Sequence, residues 1–115
     1  MLMGVMTCEN RGVMVVAVQG DLNATTGGDL SQSMDQLLKD GRRRFVLDLK
    51  DIKFVDSSGL STLVRCLKRT RGEGGELHLA GLQSAVKRTF ELTRLDRSFD
   101  IQPDVAKAVQ ALGKA

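Results

Sequence analysis

The sequence predicts an α/β sandwich: a mixed, mainly parallel sheet that opens with a β-hairpin and has helices packed on it. Three observations carry this. Strand-like runs on either side of Glu9-Asn10-Arg11-Gly12 read as the two arms of a hairpin. Further on, stretches with helical spacing alternate with short apolar runs. The run Arg44 to Leu49 is apolar on both faces, as in a parallel strand covered by helices.

Taken in order, Val5 to Cys8 and the β-branched run Val13 to Val18 form the hairpin arms. Gly20 to Gly28 is a loop by composition, and Thr25 or Thr26 can cap the helix after it. That helix carries Leu30, Met34, Leu37 and Leu38 on one stripe and ends at Asp40-Gly41. The strand Arg44 to Leu49 follows, and Phe54-Val55-Asp56-Ser57-Ser58-Gly59-Leu60 leads into a second helix. Gly72-Glu73-Gly74-Gly75 breaks that helix. Glu76 to Ala80 alternates like a strand, and Ser84 can cap a short helix carrying Val86, Thr89 and Phe90. Ser98 to Ile101 is a last short strand. Pro103 and Asp104 then start a closing helix with Val105, Ala108, Val109 and Leu112 on one face. The 115 residues read as one domain, 1–115, long enough to bury a core without staples.

Composition excludes several functions. Aromatic content is 3%, with no Trp or Tyr, too little for base-stacking platforms on single-stranded nucleic acid. A net charge of +3 allows an acidic protein partner without demanding direct nucleic-acid contact. The cluster Arg42-Arg43-Arg44 reads as a solvated flank of its strand. Cys8 and Cys66 lie far apart in no metal or redox spacing, so two reduced thiols in a cytoplasmic protein are expected. No signal peptide and no membrane-spanning segment is evident.

The chemistry concentrates at Asp56-Ser57-Ser58-Gly59. A strand ends near Val55, and short oxygen-bearing side chains suit the start of the next helix. Stepping about 100° per residue from Leu60 groups Leu63, Val64 and Leu67 on one side. Ser57 leans toward that side and reads as the structural cap. Ser58 falls nearly opposite, in line with Thr62, Arg65 and Arg69, and reads as exposed. That line is either an ordinary solvated face or part of an interface.

An enzyme is not expected. Ser58 is placed like a nucleophile, but the Gly-x-Ser-x-Gly elbow is missing. His78 alternates within a strand and offers no evident base, and the carboxylates Asp21, Asp48, Asp51 and Asp56 have no evident acid–base pairing. No metal-ligand cluster or Walker-type loop is present, and no cofactor is called for. Ser58 is better placed as a substrate. Phosphorylation would add about −1.5 to −2 charge at a helix N-terminus, where the helix tolerates it and a docked acidic surface does not.

Several stretches resemble one family. Gly20-Asp21-Leu22-Asn23 resembles a Gly-Glu/Asp-Leu-Asp loop, with Asn23 where the last Asp usually stands. Leu47-Asp48-Leu49 with Phe54 to Leu60 resembles its signature, and Gly74 to Leu77 and Ala85 to Leu92 resemble its later strand and helix. The family is the STAS domains, specifically the bacterial anti-sigma factor antagonists. The resemblance implies partner switching. The unmodified form binds an anti-sigma factor serine kinase and frees a sigma factor; phosphorylation at Ser58 reverses this, and a PP2C-type phosphatase resets it. The partner surface expected is the first loop, at Asp21, Asn23, Thr25 and Thr26, with the motif at Asp56, Ser57, Ser58 and Gly59. The helix face at Thr62, Arg65 and Arg69 extends it. The same family also leaves a stressosome-type scaffold, or an accessory subunit of a lipid transport system that would bind membrane transporter subunits.

Overall fold

The computed structural model describes residues 4–113. Strands β1 (Val5–Asn10) and β2 (Val13–Val18) pair antiparallel, with Arg11 and Gly12 both at positive φ in the tight turn between them. The sheet continues in parallel through β3 (Arg44–Asp48), β4 (Glu76–Ala80) and β5 (Asp100–Gln102), in the spatial order β1-β2-β3-β4-β5. Helices α1 (Ala24–Lys39), α2 (Ser57–Gly72) and α3 (Ser84–Leu92) cover one face. Helix α4 (Val105–Leu112) covers the other.

Strand alternation sorts the core into those two layers. Phe45 and Leu47 point to the three-helix side with Leu30, Met34, Leu63, Leu67 and Phe90. Val46 points to the other side with Val13, Val15, Ala80 and the α4 residues Ala108, Val109 and Leu112. A central parallel strand buried on both faces is what the continuous apolar run Phe45 to Leu47 encodes.

Local corrections follow from packing and capping. Helix α1 begins at Ala24, so Gly27 and Gly28 are helical rather than part of the loop. The last strand starts at Asp100, since Ser98 and Phe99 follow a 3₁₀ turn at Leu95–Arg97. Gln83, not Ser84, is the residue before α3, and its side chain makes no capping bond. The arginine cluster is tied down rather than freely solvated. Arg42 pairs with Glu9 at 2.6 Å, Arg43 donates to the Leu38 carbonyl, and Arg44 donates to the Leu112 carbonyl of α4. His78 is buried on the α4 side, its Nε2 3.4 Å from Asp100 Oδ2. Cys8 and Cys66 are both free thiols, the first exposed and the second buried.

Candidate functional site

The loops that leave the carboxyl ends of β2 and β3 run side by side. Leu22 and Val55 form an isolated parallel bridge: the Leu22 amide donates to the Phe54 carbonyl at 3.0 Å, and the Asp56 amide donates to the Leu22 carbonyl at 3.3 Å. Both Leu22 and Val55 are buried, so the bridge is anchored from below as well as along the backbone. Helices α1 and α2 each start two residues beyond it, so their N-termini stand together at one edge of the sheet. In open α/β sheets this carboxyl edge is where ligands and partners are met.

Each helix start is capped by the residue just before it. Asn23 Oδ1 accepts from the amides of Thr25 and Thr26 at 3.0 and 3.1 Å, and also from the Thr26 hydroxyl. The cap of α1 is therefore Asn23 and not a threonine. Asp56 Oδ1 accepts from the Gly59 amide at 2.8 Å. Ser57 is thus not the cap of α2; it is the first helical residue and is exposed. Short side-chain acceptors at these positions satisfy backbone donors that a helix start leaves free.

The buried face of α2 is centred on Gly59, Thr62, Leu63, Cys66, Leu67 and Thr70, while Leu60 and Val64 are only half-buried. The face expected from Leu60, Leu63, Val64 and Leu67 is rotated from this by roughly one residue's step of 100°. The cause is the second neighbour: α2 packs on the sheet and also on α1, so small and polar residues that face α1 count as interior. Two consequences follow for the serines. Ser57 and Ser58 are both exposed, so helical phase does not separate a buried serine from a free one. Ser58 lies on the flank turned toward α1, and its carbonyl accepts from the Thr62 hydroxyl at 3.0 Å.

Thr62, expected on an exposed polar face, is 3% exposed. It packs against Gly27 of α1, where an added Cβ would come within 2.7 Å of the Thr62 hydroxyl. Gly59 is buried for a similar reason, since a Cβ there would lie 2.5 Å from the Leu22 carbonyl oxygen. Neither residue can offer a side chain to a partner; both set how closely the two loops and helices approach. Arg69 is paired with Asp35 of α1 at 2.8 Å, whereas Arg65 is exposed and reaches only the Thr62 hydroxyl at 3.4 Å. Between these helices lies a groove of about 450 Å³, floored by Met34, Leu38 and Cys66 and rimmed by Arg65 and Arg69. Burial raises the Cys66 thiol to about 11, well above its ordinary range, and keeps it protonated.

Of the residues expected at the surface, Asp21, Thr25, Ser57, Ser58, Arg65 and Arg69 are exposed, and Asn23, Thr26 and Asp56 are half-buried. Lys50 and Asp48 form a further contact at this edge. The Asp48 carboxylate is buried and accepts from the Lys50 ammonium at 2.7 Å and from the Lys50 amide at 3.1 Å. That hydrogen bond holds the Lys50 ammonium above the usual lysine range. Phe54 opens the signature stretch but lies outside the partner surface expected from sequence, and it is 58% exposed. The available signal was its place between Ile52 and Val55, both apolar and both buried. Among the described residues, no group of His, Cys, Asp and Glu is arranged to hold a metal ion. Among them too, no helix is long and apolar enough to cross a membrane.

An α/β domain with a two-loop, two-helix edge of this kind is one that known proteins share. The STAS domain family profile matches residues 5–108. An anti-sigma F factor antagonist from Paenibacillus polymyxa is 32% identical over 106 residues, covering 90% of this chain and 86% of that protein. In structure, an anti-sigma factor antagonist from Mycobacterium paratuberculosis superposes with a TM-score of 0.85 at 27% identity, covering 96% of this chain and 93% of that one. The Bacillus cell fate determinant SpoIIAA in its phosphorylated form shares the fold, with a TM-score of 0.73 at 14% identity, over 93% of this chain and 97% of that one. The chain belongs to the STAS domain family, among the anti-sigma factor antagonists.

Proposed function

We propose that this chain is an anti-sigma factor antagonist that works by phosphorylation-controlled partner switching. The unmodified form docks its paired loops on an anti-sigma factor serine kinase in the cytoplasm and so frees a sigma factor. The kinase then transfers phosphate to Ser58. The Ser58 oxygen attacks the γ-phosphorus of ATP, the bond to the β-phosphate oxygen breaks to leave ADP, and the serine proton passes to a base of the kinase. The chain is the substrate in that step and not the catalyst. A PP2C-type phosphatase removes the group.

The observation that carries this reading is the position of Ser58. It is exposed in the first turn of α2, on the flank that carries Thr62, just after a loop whose backbone is pinned by Leu22. A phosphate there adds about −1.5 to −2 charge to a rigid surface. The helix end accommodates that charge, with its free amides and positive dipole end. The effect therefore falls on a docked partner, through steric block and repulsion, rather than on the fold. Asp21 and Asp56 already place carboxylates near this edge, which adds to the repulsion of an acidic surface.

The test is to incubate the chain with ATP and each purified anti-sigma factor kinase of the source organism, then map the modified residue by mass spectrometry. One phosphate on Ser58, lost in Ser58→Ala, is expected. Phosphate on Ser57, or on neither serine with every kinase, overturns the assignment.

A further inference from the structure

Of the four phenylalanines, Phe45, Phe90 and Phe99 are buried in the core, and only Phe54 is exposed. Two other large apolar side chains, Met6 and Leu92, are exposed as well. They stand elsewhere, on the edge strand β1 and at the end of α3, and scattered residues of this kind are ordinary. Phe54 differs in three respects. Its backbone is fixed, because its carbonyl accepts from the Leu22 amide while Ile52 and Val55 on either side are buried. It sits on the pinned loop that leads directly into α2, where Ser57 and Ser58 are the first two residues. Lys53 beside it is exposed and has no ion-pair partner among the described residues.

We infer that Phe54 is the apolar anchor of the switch surface, seated in an apolar pocket of the anti-sigma factor with a carboxylate of that partner beside Lys53. This rests on the partner-switching reading above and adds to it the source of the affinity. A preordered aromatic gives up little freedom on docking, which is what makes such residues dominate interfaces. Its place on the loop also says why a group on Ser58 releases the partner: the phosphate enters the rim of the same contact and holds the ring out of its pocket.

The test measures binding by titration calorimetry to a panel of purified anti-sigma factor kinases, each with a non-hydrolysable ATP analogue so that Ser58 stays unmodified. The baits are the wild type, Ser58→Glu, Phe54→Ala, Phe54→Leu and Lys53→Glu, each checked by thermal melting. Phe54→Ala is expected to weaken binding by at least about tenfold with its melting temperature kept, Phe54→Leu to recover part of the loss, and Lys53→Glu to weaken it further. If the wild type binds a kinase, Ser58→Glu is released and Phe54→Ala binds as tightly as wild type, the anchor is overturned while the switch stands. If no kinase binds the wild type, the switch fails and the anchor fails with it.

Discussion

Gly59→Ala tests whether the two loops are held together by close backbone packing. An alanine Cβ at this position would lie 2.5 Å from the Leu22 carbonyl oxygen and 3.0 Å from the Leu22 carbonyl carbon. That is about 0.8 Å short of the ~3.3 Å at which carbon and oxygen ordinarily approach. The nearest atoms are backbone, so a side-chain rotation cannot relieve the clash, and the loop has to move. Overpacking of this kind costs roughly 1–3 kcal/mol. Displacing Leu22 also weakens its two hydrogen bonds to Phe54 and Asp56, each worth about 1 kcal/mol net. Against this, alanine gains up to about 1 kcal/mol over glycine inside a helix. The balance is a loss of roughly 2–3 kcal/mol, or about 10 °C in melting temperature for a domain of this size. Gly28→Ala is the matched control. It is also helical, but an added Cβ there meets nothing within 4 Å. It should therefore stabilise by roughly 0.5–1 kcal/mol. Calorimetric melting of both variants decides the matter, with amide hydrogen exchange at Leu22 and Asp56 reporting the bridge itself. If Gly59→Ala melts at or above the wild-type temperature with both amides still protected, the close-packed bridge is not what holds the site.

Two further outcomes bear on the same edge and groove. Asn23→Ala should cost about 1 kcal/mol by removing the α1 cap, whereas Asn23→Asp should match or slightly exceed the wild type, since a carboxylate keeps the acceptor and favours the helix N-terminus; chemical denaturation ranks the three. In a thiol-reagent titration near neutral pH, Cys8 should react promptly and Cys66 only on unfolding. The raised folded-state value of Cys66 also sets a pH dependence. Its contribution is fully present below about 9, where the thiol is protonated in folded and unfolded chains alike, and is lost as pH rises toward about 11. Stability of the wild type should thus fall more steeply between those values than that of Cys66→Ala, and equal slopes would contradict the burial of this thiol.

Strand patterning was legible in the sequence because alternation and continuous apolar runs are read one element at a time. The hairpin, the doubly buried β3 and the alternation of helices with strands all follow from it. Helix α2 was harder for a physical reason. Its interior face is shared between the sheet, the Leu22 loop and α1, and it includes Gly59, which abuts Leu22, and Thr62, which abuts Gly27 of α1, neither of which an apolar stripe counts. A phase set by Leu60 and Val64, which are only half-buried, makes Ser57 a cap that it is not, while Ser58 is exposed as expected. The caps show the same limit. Threonine and serine are good candidates at Thr25, Thr26 and Ser57, but Asn23 and Asp56 win because the Leu22–Val55 bridge fixes the chain one residue earlier. Contacts between segments distant in sequence decided each of these points, and no single-segment pattern holds that information.

The cap at Asp56 bears directly on where a group on Ser58 would act. Had Ser57 been the cap, a group on the adjacent residue would have disturbed the capping bond itself. Instead Asp56 holds the Gly59 amide and Leu22 holds Phe54 and Asp56, so none of the bonds that define the loop involves a serine side chain. A charge at Ser58 therefore leaves every one of them in place. The dipole end of α2 offers about 0.3–1 kcal/mol of attraction to that charge, and the neighbouring Asp56 carboxylate opposes it by a similar order at an exposed site. These nearly cancel, so Ser58→Glu should move the melting temperature by no more than a few degrees while it releases the bound kinase. A loss of more than about 10 °C in Ser58→Glu would mean that the modification acts by loosening the α2 start, and that the switch lies in the fold rather than in the interface.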